Sequence, residues 1–326
     1  MPLGEFELIA RYFTRPTRRA VLGVGDDCAL LAPSPGMQLA VSSDLLIEGR
    51  HFLSTVPPRA LGHKALAVNL SDLAACGAEP LAFQLMLALP AADEAFLQAF
   101  SEGLLTLADA HGIELIGGDT TAGPLSVGIT VLGEVPPGTA LRRDGAQVGD
   151  DLWVSHSPGG GLGDARLALE VFRDHAELPG ETFGRLRRAM EWPEPRVALG
   201  RALRGVAHAA IDLSDGLAGD LGHVLARSHV GALIEWGALP RSAALSAQPV
   251  PLQRQCVLGG GDDYELLFCA PVSARSAVRR AADQAAVAVS RIGQIESQDG
   301  LRVRWGDGTV APWVARGFDH FTPDIP

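Results

Sequence analysis

Lysine is all but missing from this sequence. Lys64 is the only one among 326 residues, and arginine supplies the remaining positive side chains. Any chemistry on phosphate groups must therefore proceed without a P-loop lysine, and neither GxxxxGK[ST] nor the protein-kinase motif set occurs. Cysteine is scarce as well. Cys28, Cys76, Cys256 and Cys269 stand far apart with no CxxC pair, so they read as free thiols in a reducing compartment rather than as zinc ligands or a disulfide framework. The longest apolar runs, such as residues 82–89, are too short to span a bilayer. The first residues carry acids in an amphipathic pattern, with no basic stretch leading into an apolar one, so no signal peptide is expected and the expected location is the cytoplasm. The net charge of −11, without a basic stripe or lysine-rich tail, argues against a nucleic-acid partner, and nothing suggests a membrane partner.

The chain is 47% hydrophobic, enough to bury a core, and its length favours two domains. Phe6, Ile9, Ala10 and Phe13 repeat at helical spacing over 5–13. Strands are expected at 37–43, 82–89, 114–116 and 125–135, and a long helix from Pro57 or Pro58 to a stop at Gly77. Asp93 to His111 reads as a helix with Phe96, Phe100, Leu104 and Leu107 on one face, ended by Gly112. Pro136-Pro137-Gly138 then breaks the pattern, which sets the expected domains at 1–137 and 138–326. Beyond it, helices are expected at 164–172, 195–203 and 217–228, and strands at 152–155, 232–236, 265–270, 290–295 and 301–305. The fold class is thus mixed α/β in two domains.

What the sequence does have is aspartate in small groups flanked by Gly or Ser. These are Gly25-Asp26-Asp27, Ser42-Ser43-Asp44, Asn69-Leu70-Ser71-Asp72, Gly117-Gly118-Asp119, Asp212-Leu213-Ser214-Asp215-Gly216 and Gly261-Asp262-Asp263. Any one of them is explained as a turn or a helix cap, and Asp215 ahead of the Leu217 helix is a natural cap. Several of them directly follow strand-like runs, where α/β proteins place ligands: Asp44 after 39–43, Asp119 after 114–116, Asp212 after 209–211. Asp72 instead lies within the long helix, on one face with Asn69, among Leu66, Val68, Leu70, Leu73 and Ala74. Unless that face is a solvated stripe, an ionised carboxylate there needs a cation. Converging carboxylates repel, and Mg²⁺, which prefers oxygen ligands, relieves the repulsion. Without HExxH, paired cysteines or EF-hand spacing, the pattern points to several Mg²⁺ ions and to phosphoryl transfer, the metals standing in for the absent lysines.

Other candidates are open to two readings. Gly159-Gly160-Gly161 ahead of a helix is either an anion-binding turn or a plain loop. Arg142 and Arg143, just past the break, either clamp a phosphate or lie solvated in a linker. His51 after Gly49-Arg50 is either structural or a ligand contact. Phe318 in Gly317-Phe318-Asp319-His320-Phe321 either stacks on a ring or docks the tail.

Taken in order, Gly4-Glu5-Phe6, Gly25-Asp26-Asp27-Cys28-Ala29, Ser43-Asp44, Gly49-Arg50-His51-Phe52, the run 64–75, Gly117-Gly118-Asp119-Thr120, the run 211–217 and Asp263-Tyr264-Glu265-Leu266 resemble the thiamine-monophosphate kinases. That family is related to aminoimidazole-ribonucleotide synthetase and selenophosphate synthetase. The resemblance implies an N-terminal domain whose sheet pairs with a second copy into a β-barrel, and a C-terminal α/β sandwich-like domain. It implies a homodimer that binds ATP and several Mg²⁺ along the N-terminal domain, and direct transfer of a phosphoryl group from ATP to thiamine monophosphate. By the same resemblance Asp27, Ser42, Ser43, Asp44, Asp72, Asp119, Asp212 and Asp215 take Mg²⁺. Asp44, Asp72, Asp119 and Asp212 carry catalysis, and Gly118, Asp119, Arg143 and Ser214 take ATP. His51, Asp262 and Phe318 contact thiamine monophosphate, and Asp26 supports Asp27. Asp262 stands where many members have Glu. The alternatives are another ATP-dependent synthetase of this superfamily, a catalytically silent metal- and nucleotide-binding dimer, and a metal-dependent phosphohydrolase.

Overall fold

In the computed structural model, which describes residues 4–314, the chain divides into two units, Met1–Leu73 with Ala78–Gly138 and Ala74–Gly77 with Thr139–Pro326. The first contains α1 (Glu5–Tyr12), β1 (Ala20–Leu22), β2 (Leu30–Leu31), β3 (Gln38–Ile47), α2 (Pro58–Ala75), β4 (Glu79–Leu89), α3 (Glu94–His111), β5 (Glu114–Ala122) and β6 (Ser126–Val135). Local chemistry sets the ends of α3. Asp93 caps it by accepting from the Ala95 and Phe96 amides, and Gly112 closes it at φ 63°.

β3, β6, β4 and β5 form a four-stranded sheet in that order, parallel only between β4 and β5. The strand alternation sorts its two faces. Leu85, Leu87, Val127, Ile129 and Val131 are buried on one. On the other, Val41, Leu45, Ile47 and Met86 remain exposed, Val41 to 61% and Leu45 to 55%. α2 and α3 touch almost backbone to backbone: a Cβ on Gly62 would come 2.1 Å from the Phe100 carbonyl oxygen, and one on Gly103 would come 1.9 Å from that of Arg59. α2 is buried nearly all round, with Leu61, Leu66 and Leu70 at 0% exposure.

Two strands run further than the sequence pattern indicates. β3 pairs with β6 through ten consecutive residues, and β5 pairs with β4 to Ala122. Asp44 and Asp119 therefore lie inside strands rather than after them. Ladder pairing overrides the weak strand preference of Ser, Asp and Gly at these positions.

The second unit contains β7 (Asp151–His156), α4 (Asp164–Phe172), α5 (Gly180–Glu191), α6 (Val197–Ala202), β8 (Ala209–Asp212), α7 (Leu217–Ser228), β9 (Gly231–Glu235), α8 (Ala243–Ser246), α9 (Val250–Gly259), β10 (Leu266–Ala270), α10 (Arg275–Ala285), β11 (Ala288–Glu296), β12 (Gly300–Arg304) and β13 (Val310–Trp313). Its seven strands run β13-β12-β9-β11-β7-β10-β8, antiparallel except for β9 with β12. Leu152, Val154, Ile211, Leu221, Ile234 and Leu267 belong to its core. Helices α5 and α10, which the sequence pattern does not mark, each carry three arginines among few large apolar residues. Pro312 disguises β13, an edge strand where a missing amide is tolerated. No described helix is long and apolar enough to cross a membrane.

The close helix contact yields a stability test. Gly103→Ala is expected to destabilise the first unit by at least ~2 kcal/mol, as overpacking does. Gly184→Ala, in a helix with nothing within 4 Å of the added carbon, is expected to stabilise by ~0.5–1 kcal/mol. Urea unfolding of the two variants checks the opposite signs.

Candidate active site

The first unit assembles its polar residues where β3 meets α2. Ser42 and Asp44 lie on the more buried side of β3, and Asn69 and Asp72 lie on α2. The Ser42 hydroxyl donates to Asp72 Oδ2 at 2.5 Å. The Asp44 amide donates to Asn69 Oδ1 at 3.1 Å, and Asn69 Nδ2 donates to the Ala65 carbonyl. Asn69 is wholly buried, so both ends of its amide are used, and α2 is pinned to β3 at the level of the carboxylates. Ser43 turns to the opposite face, its Oγ 2.8 Å from Thr130 Oγ1.

Asp119 lies elsewhere in this unit. It pairs in register with Met86, Met86 with Gly128, and Gly128 with Leu45. β5 and β3 are opposite edges of the sheet, about 14 Å apart at the usual strand spacing. Gly118 beside it has φ 140°, and a Cβ there would come 1.8 Å from the Leu85 carbonyl oxygen, so only glycine fits. Asp26 and Asp27 lie exposed after Gly25, and the Asp27 amide donates to Asp26 Oδ1 at 2.8 Å, an acid steadying its neighbour. The His51 ring accepts from the Ile47 amide through Nδ1. Lys64 Nζ donates to the His51 carbonyl oxygen at 3.3 Å.

In the second unit Asp212 ends β8, with Ser214 and Asp215 in the turn before α7. Asp215 is not the helix cap. Gly216 occupies that position at φ 105°, and the Asp215 amide donates to Asp220 Oδ2. Asp220 was not foreseen from sequence. Burial first, then the Asp212 and Asp215 charges, push its carboxyl up to about 8. The available signal was the one that marks Asp72: an acid amid Leu217, Ala218 and Leu221 in a helix. Asp262 sits at φ 67° and Tyr264 at φ 48°, backbone held in the left-handed region by bonds to the Ser214 and Leu213 carbonyls. Tyr264 donates from its hydroxyl to Asp262 Oδ1 at 3.1 Å. Arg196, also unforeseen, forks onto Glu265 beside this turn, through Nε to Oε2 and Nη2 to Oε1. Arg143 is exposed, and its carbonyl accepts from Ser228. Phe318 lies outside the described residues.

In the glycine-rich loop the amides of residues 160–163 all find partners within the protein. The Gly160 amide bonds Ser157 O, that of Gly161 bonds Asp164 Oδ2, that of Leu162 bonds Pro240 O and that of Gly163 bonds Asp263 Oδ1. All four donors are taken within the protein. Burial pushes the Asp164 carboxyl up to about 6 and that of Asp263 well above the carboxylate range.

The donor chemistry of the Ser42, Asp44, Asn69 and Asp72 group, hard oxygens with no sulfur or imidazole, suits Mg²⁺. No cluster of three or more His, Cys, Asp or Glu side chains with metal-holding geometry occurs among the described residues. This group offers at most a partial shell that phosphate oxygens and water would complete.

Residues 25–135 match the family model for the AIR synthase related protein N-terminal domain, and residues 147–306 match the one for its C-terminal domain. The chain is 44% identical to the thiamine-monophosphate kinase of Escherichia coli (strain K12), over 98% of this chain and 99% of that one. The crystal structure of thiamine-monophosphate kinase from Stenotrophomonas maltophilia K279a is 45% identical, with a TM-score of 0.83 over 93% of this chain and 95% of that one. AaThiL complexed with AMPPCP and TMP is 29% identical, with a TM-score of 0.76 over 89% of each chain.

The Asp164 brace makes stability depend on pH. Its folded pKa lies above its unfolded one, so the folded state holds the proton more tightly. Stability should therefore fall as pH rises from about 4 to about 6. Asp164→Asn keeps an acceptor and removes that proton. The variant's unfolding free energy, minus that of the wild type, should increase over this window by at most ~3 kcal/mol. Thermal or urea unfolding at stepped pH measures the difference.

Proposed function

The chain belongs to the thiamine-monophosphate kinase family, and we propose that it transfers the γ-phosphoryl group of ATP directly to the phosphate of thiamine monophosphate, giving thiamine diphosphate and ADP. The observation that carries this reading is the bonded set of Ser42, Asp44, Asn69 and Asp72 at the meeting of β3 and α2, in a chain alike to those kinases over nearly its whole length. AaThiL, solved with AMPPCP and TMP, supports a nucleotide triphosphate and a phosphate ester as the two substrates.

Asp27, Ser42, Ser43, Asp44, Asp72, Asp119, Asp212 and Asp215 would hold Mg²⁺, which when bound offsets charge on the phosphate oxygens. The protein's own part is placement. Asn69 fixes Asp44 against α2, and Ser42 orients the Asp72 carboxylate. Gly118 offers bare backbone beside Asp119, and with Arg143 and Ser214 these residues would take the nucleotide. His51, Asp262 and Phe318 would meet thiamine monophosphate, Asp262 with its carboxylate steadied by Tyr264. The acceptor is a phosphate oxygen already anionic near neutral pH, so no side chain has a proton to remove, and catalysis rests on positioning and charge.

The first unit is the proposed ATP- and Mg²⁺-binding and dimerisation domain. The second supplies Asp212, Ser214, Asp215 and Asp262. The exposed Val41, Leu45, Ile47 and Met86 face supports a homodimer in which a second copy covers it, the two four-stranded sheets forming one barrel. Work on ATP and a vitamin phosphate, with free thiols, fits a cytoplasmic enzyme.

Purified protein with ATP, Mg²⁺ and thiamine monophosphate should form thiamine diphosphate, followed by chromatography. Omission of any component should abolish it, and Asp72→Asn should lower kcat at least ~100-fold while the fold persists. Val41→Asp should sediment as a monomer. ADP with free phosphate but no thiamine diphosphate would overturn the acceptor assignment, and a monomeric wild type would overturn the barrel.

A further inference from the structure

We propose that Lys64 is a positioning residue that fixes His51 as an Nε2–H donor at the substrate site; this rests on the reading of His51 as a thiamine monophosphate contact. The chain places 26 arginines and a single lysine, and that lysine is inside, 2% exposed. A buried ammonium on a helix otherwise lined by Leu61, Leu66 and Leu70 is costly unless oxygen acceptors meet it. One acceptor is the carbonyl oxygen of His51. The loop that carries His51 hangs from the end of β3 and is held at three further points. The His51 amide donates to the Ile47 carbonyl, the Ile47 amide donates to His51 Nδ1, and Phe52 is buried at 6% exposure.

Because an amide donates to it, Nδ1 must carry the lone pair. The neutral ring then has its proton on Nε2, which acts only as a donor. Lys64 sits on the same helix as Asn69 and Asp72, five and eight residues earlier, or about 8 and 12 Å along the axis. Ile47 sits on the same strand as Asp44, about 10 Å on. The two elements that pin the carboxylates thus also pin the histidine, at a span that suits one end of an extended phosphate ester. A lysine suits this task because its compact, three-donor head reaches a carbonyl inside a helix–strand junction. The planar fork of arginine demands more room.

Lys64→Met preserves length and apolar packing while removing the charge. A purely structural lysine predicts no selective kinetic change. Positioning predicts that KM for thiamine monophosphate rises at least ~10-fold, KM for ATP stays within about twofold, and stability is unchanged or higher because a buried charge is gone. ¹⁵N-resolved NMR of the histidines in the unliganded protein supplies a second readout. His51 should be a single Nε2–H tautomer in the wild type and a mixture in Lys64→Met. Equal KM changes for both substrates, or an unchanged tautomer in the variant, overturns the proposal. If the wild type makes no thiamine diphosphate, the functional reading fails, and the tautomer comparison still decides the role of Lys64.

Discussion

Ser42 on β3 and Asp72 on α2 meet across a 2.5 Å hydrogen bond, and two turns of chemistry hang on that junction. Within an almost wholly apolar helix, the Ser42 hydroxyl meets the Asp72 carboxylate and offsets part of the cost of placing a charge there. Asn69, one helical turn earlier and completely buried, spends its whole amide on joining Ala65 to the Asp44 amide. The helix therefore cannot slide along the strand without leaving buried polar atoms unpaired. Ser42, Asp44 and, further along the same chain segment, His51 are indexed from this contact. The near-zero clearance at Gly62 and Gly103 locks α3 to the same helix.

A protein with one lysine and a charge of −11 meets phosphate groups differently from a P-loop enzyme. It cannot cradle them with ammonium groups, and four amides of its glycine-rich loop are already engaged within the protein. What it offers instead are carboxylates and hydroxyls held apart in small sets. The second unit repeats the theme under greater stress. Asp220 is driven toward protonation by its burial and by Asp212 and Asp215. Nearby, Asp262 and Tyr264 hold left-handed backbone that their hydrogen bonds to the Ser214 turn enforce. Both are the kinds of strain that a folded chain retains at sites of use.

Much of this was legible beforehand. Helix ends at Asp93 and Gly112, and the helix from Pro58, follow from capping and proline chemistry that acts within a few residues. Asp72 announced itself as an acid among apolar neighbours. The same rule, applied to 217–221, would have found Asp220. Less legible were features set by tertiary pairing. Asp44 and Asp119 lie mid-strand because β6 and β4 extend the ladders past them, and no local pattern encodes a partner's length. The separation of Asp119 from Asp44 follows from strand order, which sequence spacing does not reveal. Arg196 looked like one arginine among many until the fold set it against Glu265.

The central claim is that carboxylates, through divalent cations, do the work that lysines do elsewhere. Its most direct test is diffraction from crystals grown with Mn²⁺, a non-hydrolysable ATP analogue and thiamine monophosphate, recorded at the manganese edge. The account predicts anomalous peaks within bonding distance of the Asp44 or Asp72 carboxylates, each also touching a phosphate oxygen. Phosphates held by arginine alone, with no peak beside either aspartate, would contradict it.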